Sequence, residues 1–104
     1  MNNNRISVEQ VKGDLEAGKD FVLLDVRTKE EFREGHIEGA INIPLANLAY
    51  DVENEVPEKD QEIVLYCRSG VRTLTAAEIL KELDYTKVYD MGGIISWPYE
   101  VITD

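Results

Sequence analysis

Cysteine and histidine are scarce in this 104-residue sequence, which has one of each. A single cysteine excludes an intrachain disulfide, so nothing in the chain requires an oxidising compartment. It also excludes an internal resolving thiol, and any reaction of Cys67 would therefore need a partner from another molecule. His36 has no other strong ligand close to it in sequence, so we expect no metal site.

Long apolar runs and basic residues are also few. No run reaches the ~18 residues needed to span a bilayer, and the N-terminus lacks the apolar core of a signal peptide. The 11 basic residues are outnumbered by 21 acidic ones, for a net charge of −10. Such a chain repels phosphate backbones and anionic lipid at long range. We therefore expect a cytoplasmic protein that binds neither nucleic acid nor a membrane.

Length and composition are those of one small folded domain, which we place at residues 1–104. Four apolar runs predict strands. Those at 21–26 and 63–66 are nearly unbroken, as in a parallel sheet buried on both faces; the other two lie at 40–43 and 87–89. Strands that alternate with helices predict an α/β domain with a mostly parallel central sheet, flanked by helices on both faces.

Two segments have the spacing of a capping box and open helices. Ser7 to Gln10 begins the first helix, which Gly18 ends. Thr28 to Glu31 begins a second, short helix that ends near Gly35.

The second half of the chain predicts one helix from an apolar stripe and several shorter elements around it. An apolar stripe over 76–83 predicts a helix after the third strand, with Asp84 as a left-handed cap. We expect a brief helix at 45–50 and a solvated connection at 51–61. A turn at 92–93 and a last helix starting at 94–97 complete the chain.

The segment after the strand at 63–66 is the candidate for chemistry. Cys67 ends the strand, and the small residues Ser69 and Gly70 allow a tight curl that turns N–H groups inward as an anion-binding nest. The following helix adds unpaired N–H groups and the positive end of its dipole. Arg68 and Arg72 add two positive charges. A lone cysteine is often just a small buried hydrophobe, but these neighbours stabilise a thiolate, the nucleophilic form.

Three segments together resemble the rhodanese family, and they cover nearly the whole chain in the right order. The active-site loop of that family resembles Cys67-Arg68-Ser69-Gly70-Val71-Arg72-Thr73. Its N-terminal signature resembles Asp25-Val26-Arg27, Glu31-Phe32, Gly35-His36-Ile37, Gly39-Ala40 and Asn42-Ile43-Pro44, and its C-terminal one Gly92-Gly93 with Trp97. Two departures are mild: Thr73 stands where serine is common, and Asp84 where glycine often caps the helix.

The resemblance implies a rhodanese-like single domain that acts as a thiosulfate sulfurtransferase. Cys67 would be the catalytic residue, taking a sulfane sulfur from a small anionic donor such as thiosulfate and carrying it as a persulfide to cyanide or a thiol. Backbone N–H groups of the loop would surround that sulfur, and they belong to Arg68, Ser69, Gly70, Val71, Arg72 and Thr73. The reaction calls for no cofactor.

Cysteine phosphatases and some arsenate reductases are the nearest competitors, because they share the strand, loop and helix. Their loop places five residues between cysteine and arginine to wrap a tetrahedral anion. Here four residues separate Cys67 from Arg72. The shorter loop makes a smaller cradle, which favours a sulfur atom over a phosphoryl group.

A persulfide carrier that serves a specific protein acceptor is a second alternative, and a regulatory domain with an idle cysteine is a weaker third. The acidic charge fits a basic partner, although such charge is more often a matter of solubility. The intact loop disfavours the idle cysteine.

Other polar residues are assigned structural roles. We expect His36 to hydrogen-bond loop backbone, and Trp97 to pack in the core. Asp25 and Arg27 lie at the carboxyl end of a strand, where they either border the pocket or form local ion pairs, such as Arg27 with Glu31. For these two we favour the ion pairs.

Overall fold

The computed structural model of the chain describes residues 4–104, in which five parallel strands alternate with four α-helices. The strands are β1 (Asn4–Arg5), β2 (Val22–Asp25), β3 (Ile41–Asn42), β4 (Ile63–Cys67) and β5 (Val88–Gly93). The helices are α1 (Val8–Glu16), α2 (Lys29–Glu34), α3 (Leu48–Glu55) and α4 (Arg72–Glu82). Single 3₁₀ turns occupy Leu45–Asn47 and Ile94–Ser96. The sheet order is β1-β5-β4-β2-β3, and the predicted α/β class is confirmed.

The predicted helix starts are present at α1 and α2. The Ser7 side chain accepts from the Gln10 N–H at 3.0 Å. At α2 the capping box is complete, because Thr28 accepts from the Glu31 N–H and Glu31 accepts from the Thr28 N–H. Asp84 has a φ of 72°, the left-handed conformation expected at the end of α4.

The sheet separates two apolar cores, because successive strand residues point to opposite faces. Leu65 of β4 lies in the core that α3 and α4 cover, whereas Val64 and Tyr66 lie in the core that contains Val11 of α1. All five residues of β4 are buried. Helices therefore flank the sheet on both faces, as predicted.

The prediction of a solvated connection at 51–61 is wrong in its first half, because α3 continues to Glu55. Its apolar face has the helical spacing of Leu48, Val52 and Val56, all of them buried. Five acidic residues at 51–60 obscured that stripe in the sequence. The predicted turn at 92–93 is also wrong: both glycines belong to β5, where the register with β4 shifts between Leu65 and Tyr66.

Among residues 4–104, none of the helices has the length and apolar character that crossing a membrane would require.

Candidate active site

Cys67 is the last residue of β4, the central strand of the sheet, and α4 begins five residues later at Arg72. The predicted order of strand, cysteine, loop and helix is therefore present. The Gly70 N–H donates to Cys67 Sγ at 3.1 Å, so the loop turns at least this donor toward the sulfur. Gly70 has a φ of 95°, which a residue with a Cβ would rarely adopt. The cysteine is 1% exposed, so the loop and its neighbours enclose it closely.

The loop rests directly on the end of β5. A Cβ on Gly93 would lie 2.6 Å from Ser69 Cα and would overlap the carbonyl oxygen of Arg68. Just beyond, the Ile95 N–H donates to the same Arg68 oxygen at 3.2 Å. The glycine at 93 is thus needed for close approach of two backbones, a role that the sequence left open.

Thr73 anchors the other end of the loop. Its side chain is fully buried, and its hydroxyl donates to the Gly70 carbonyl oxygen at 3.0 Å. Serine could supply the same hydroxyl, which explains why the departure from the family pattern at this position is mild.

The two arginines of the loop have different surroundings. The Arg72 guanidinium donates to both carboxylate oxygens of Glu31, at 2.7 and 2.9 Å. Arg68 is exposed and has no carboxylate partner among residues 4–104. It lines an open cleft of about 430 Å³ beside the loop. Among the described residues that line that cleft, only Arg68 therefore presents a positive charge without a carboxylate partner.

Glu31 has a partner that the sequence does not predict. The local pattern suggests an ion pair with Arg27, but Glu31 pairs with Arg72, 41 positions away. Hydrogen bonds from Arg72, foremost, and from Thr28 lower the pKa of Glu31 from 4.5 to about 2. Nothing in the local sequence pattern pairs two residues so far apart.

Asp25 and Arg27 form a buried ion pair at the end of β2, with 2.7 Å between Arg27 Nη2 and Asp25 Oδ2. Arg27 also donates to the Gly35 carbonyl oxygen at 2.7 Å. The structural assignment is therefore correct for both residues, although they pair with each other. Arg27 still lines the cleft, so it borders the pocket as well.

Trp97 packs in the core as predicted, and His36 has structural contacts, although its ring bonds a carbonyl of α2 rather than loop backbone. The His36 ring stacks on Phe32 and its Nδ1 bonds the Phe32 carbonyl oxygen at 2.7 Å. Trp97 is buried in the core that contains α1 and forms part of the cleft wall. Within the described range 4–104, no three side chains of the metal-binding types His, Cys, Asp and Glu lie together.

Comparison with known proteins agrees with the fold and the motifs. The model of the rhodanese-like domain family matches residues 7–98. The chain is 39% identical over 71 residues to thiosulfate sulfurtransferase PspE of Escherichia coli, covering 68% of each protein. It is 36% identical over 95 residues to a sulfurtransferase of Allochromatium vinosum, covering 90% of this chain and 87% of that one.

A solved structure extends the match to the fold. The rhodanese-related protein of Thermoplasma volcanium superposes with a TM-score of 0.80 at 30% identity, covering 97% of this chain and 99% of that one. The chain belongs to the rhodanese-like domain family.

Proposed function

We propose that this protein is a rhodanese-type sulfurtransferase that moves a sulfane sulfur from thiosulfate, or a similar small anion, to cyanide or a thiol. The observation that carries the proposal is the setting of Cys67: the chain's one thiol ends the central strand, receives the Gly70 N–H and precedes the start of α4. Similarity to proteins named sulfurtransferase supports the same reaction class.

The first half-reaction loads the cysteine. The Cys67 thiolate attacks the outer sulfur of thiosulfate, a new S–S bond forms on Sγ, and the S–S bond of the donor breaks. Sulfite leaves with the electron pair. In the second half, cyanide or a thiolate attacks the terminal sulfur, and Cys67 departs as a thiolate. Both halves balance in atoms and electrons without a cofactor.

The loop stabilises the anionic sulfur in this scheme. Backbone N–H groups from Arg68 to Thr73, together with the N-terminal end of α4, face the negative charge. The Gly70 N–H already reaches Sγ and carries this part of the argument. Arg68, exposed at the cleft, attracts the donor.

Intact-mass measurement after thiosulfate treatment tests the proposal. We expect one added sulfur atom on the parent protein and none on Cys67→Ser. Subsequent cyanide should remove the sulfur and yield thiocyanate. A folded Cys67→Ser variant that still transfers sulfur would refute the role of Cys67.

A persulfide carrier for a protein acceptor is the second candidate, and one observation favours it. Three apolar side chains at or next to the loop are largely exposed: Val71 (68%), Leu74 (54%) and Ile95 (65%). Thiosulfate and cyanide need no such contacts. If they serve a protein acceptor, Leu74→Ser should slow transfer to that acceptor but leave transfer to cyanide unchanged.

A further inference from the structure

We infer that Glu31 is a specificity-determining residue, which occupies the Arg72 guanidinium and so leaves Arg68 as the side chain that attracts anions to Cys67. The inference rests on the proposed function, in which an anionic donor approaches the cysteine. It adds a residue of α2, outside the loop, that sets how strongly the site attracts such anions.

The carboxylate of Glu31 is fixed from two sides. Its Oε1 accepts from Arg72 Nη1 at 2.7 Å and from the Thr28 N–H at 3.0 Å, and its Oε2 accepts from Arg72 Nη2 at 2.9 Å. Such a two-point pair fixes the plane of the guanidinium as well as its position. The capping box of α2 therefore also determines where the charge of Arg72 lies.

Arg72 stands at the start of α4, five residues after the Cys67 that ends β4. Hydrogen bonding to Glu31 is the main cause that raises the pKa of Arg72, and the charge of Cys67 contributes to the same shift. A freed guanidinium would thus add a second positive charge near the sulfur. Two such charges would bind the donor more tightly, but they would also retain the sulfite that must leave.

The cleft itself has a mixed charge. Arg68 lines it with no carboxylate partner in the described part of the chain, and Glu31 and Glu34 line the same cleft. Removing the charge of Glu31 raises the net charge of the site by one unit, and it frees the Arg72 guanidinium to turn toward an anion. Both changes strengthen the attraction of an anion.

Two variants separate this effect from a change in helix stability. Glu31→Gln removes the charge but keeps a side chain that also serves in a capping box. Glu30→Gln makes the same change of charge one position earlier in the first turn of α2, on an exposed side chain that contacts neither Arg72 nor the cleft.

The test compares the alkylation of Cys67 by iodoacetate, an anion, with that by neutral iodoacetamide. We expect the ratio of the iodoacetate rate to the iodoacetamide rate to rise about threefold in Glu31→Gln at low salt. It should stay unchanged in Glu30→Gln and fall in Arg68→Ala. The KM for thiosulfate should change in the opposite sense, falling in Glu31→Gln. A loss of packing alone would alter both alkylation rates equally.

The ratio distinguishes this inference from the proposed function. An unchanged or lower ratio in Glu31→Gln would overturn the inference whether or not the protein transfers sulfur. An equal rise in Glu30→Gln would also overturn it, since the effect would then be general surface charge. A higher ratio without sulfur transfer in any variant would overturn the proposed function alone. A Cys67 that reacts with neither reagent would overturn both.

Discussion

Arg68 is exposed at the cleft, whereas Arg72 is paired with Glu31. We therefore expect different effects when each arginine is replaced. Arg68→Ala should raise the KM for thiosulfate about fivefold and flatten its salt dependence, because an exposed charge acts through screened attraction. Arg72→Ala should lower the free energy of unfolding by about 1–2 kcal/mol, since it leaves the Glu31 carboxylate unpaired. Steady-state kinetics at several salt concentrations and urea unfolding measure the two effects. Identical changes in both variants would contradict this division of roles.

Glu31 gives the protein a specific sensitivity to acid. Its folded-state pKa of about 2 lies below the ordinary 4.5, so its contribution is complete above pH 4.5 and is lost as the pH falls toward 2. The melting temperature of Glu31→Gln should therefore lie below that of the parent at pH 7, and the gap should close between pH 4.5 and 2. Thermal unfolding across this range measures the gap, with Glu30→Gln as control. A gap that stays constant down to pH 2 would show that the charge of Glu31 contributes nothing.

The contact between β5 and the loop predicts the effect of a single methyl group. In Gly93→Ala the new Cβ meets backbone atoms of Arg68 and Ser69, which cannot swing aside as a side-chain end could. We expect a loss of about 2 kcal/mol in stability and a marked fall in the rate of sulfur loading. Urea unfolding and intact-mass kinetics measure both.

Gly13→Ala is the matched control for this substitution. Gly13 lies inside α1, and no atom of residues 4–104 outside the helix stands within 4 Å of the Cβ that alanine would add. The change should stabilise the protein by about 0.5–1 kcal/mol through helix propensity and leave sulfur loading unaltered. A Gly93→Ala variant that behaves like Gly13→Ala would show that the loop tolerates a shift.

Elements with a local cause were predictable from the sequence. Neighbouring residues alone define the capping box at Thr28 and the buried apolar runs of β2 and β4, and all three are present in the structure. In contrast, α3 past Tyr50 depends on apolar residues hidden among charges. The short β1 has no local signal, because two residues become a strand only by pairing with Tyr89 and Asp90 of β5.

The candidate site shows the same limit. The sequence predicts Cys67, its loop and the following helix, since they are contiguous. It misses the pair of Glu31 with Arg72 and leaves the contact of Gly93 with the loop open, because only tertiary packing brings these residues together. Within the site, the sequence thus predicts the contiguous loop, whereas the ion pairs, including that of Asp25 with Arg27, are set by the folded structure.

The topology of the sheet explains why these distant residues meet at one site. The central strand β4 lies between β5 and β2, and all three run parallel, so their carboxyl ends reach the same edge. Cys67 ends β4, Gly93 ends β5, and the Asp25–Arg27 pair lies at the end of β2. The neighbouring α2 supplies Glu31. The loop after β4 is therefore contacted by Gly93 of β5, its Arg72 end is paired with Glu31 of α2, and Arg27 lines the cleft beside it.

The size of the loop separates sulfur transfer from phosphate hydrolysis, which share the thiolate and the helix dipole. A phosphoryl transition state spreads charge over three equatorial oxygens and needs donors directed at each. Four residues lie between Cys67 and Arg72, and both terminal nitrogens of Arg72 bind Glu31. The guanidinium that a phosphatase would direct at those oxygens is therefore already occupied. A terminal sulfur needs only the small pocket whose Gly70 N–H already reaches Sγ.

The whole protein should accordingly transfer sulfur from thiosulfate to cyanide or a thiol with ping-pong kinetics, and it should not appreciably hydrolyse an aryl phosphate. Both assays are run on one preparation, with double-reciprocal plots at several acceptor concentrations to establish parallel lines. Cys67→Ser is the control for each, and it should abolish sulfur transfer while its thermal unfolding remains cooperative. Aryl phosphate hydrolysis that disappears in Cys67→Ser, in a parent protein that transfers no sulfur, would instead assign the loop to phosphate chemistry.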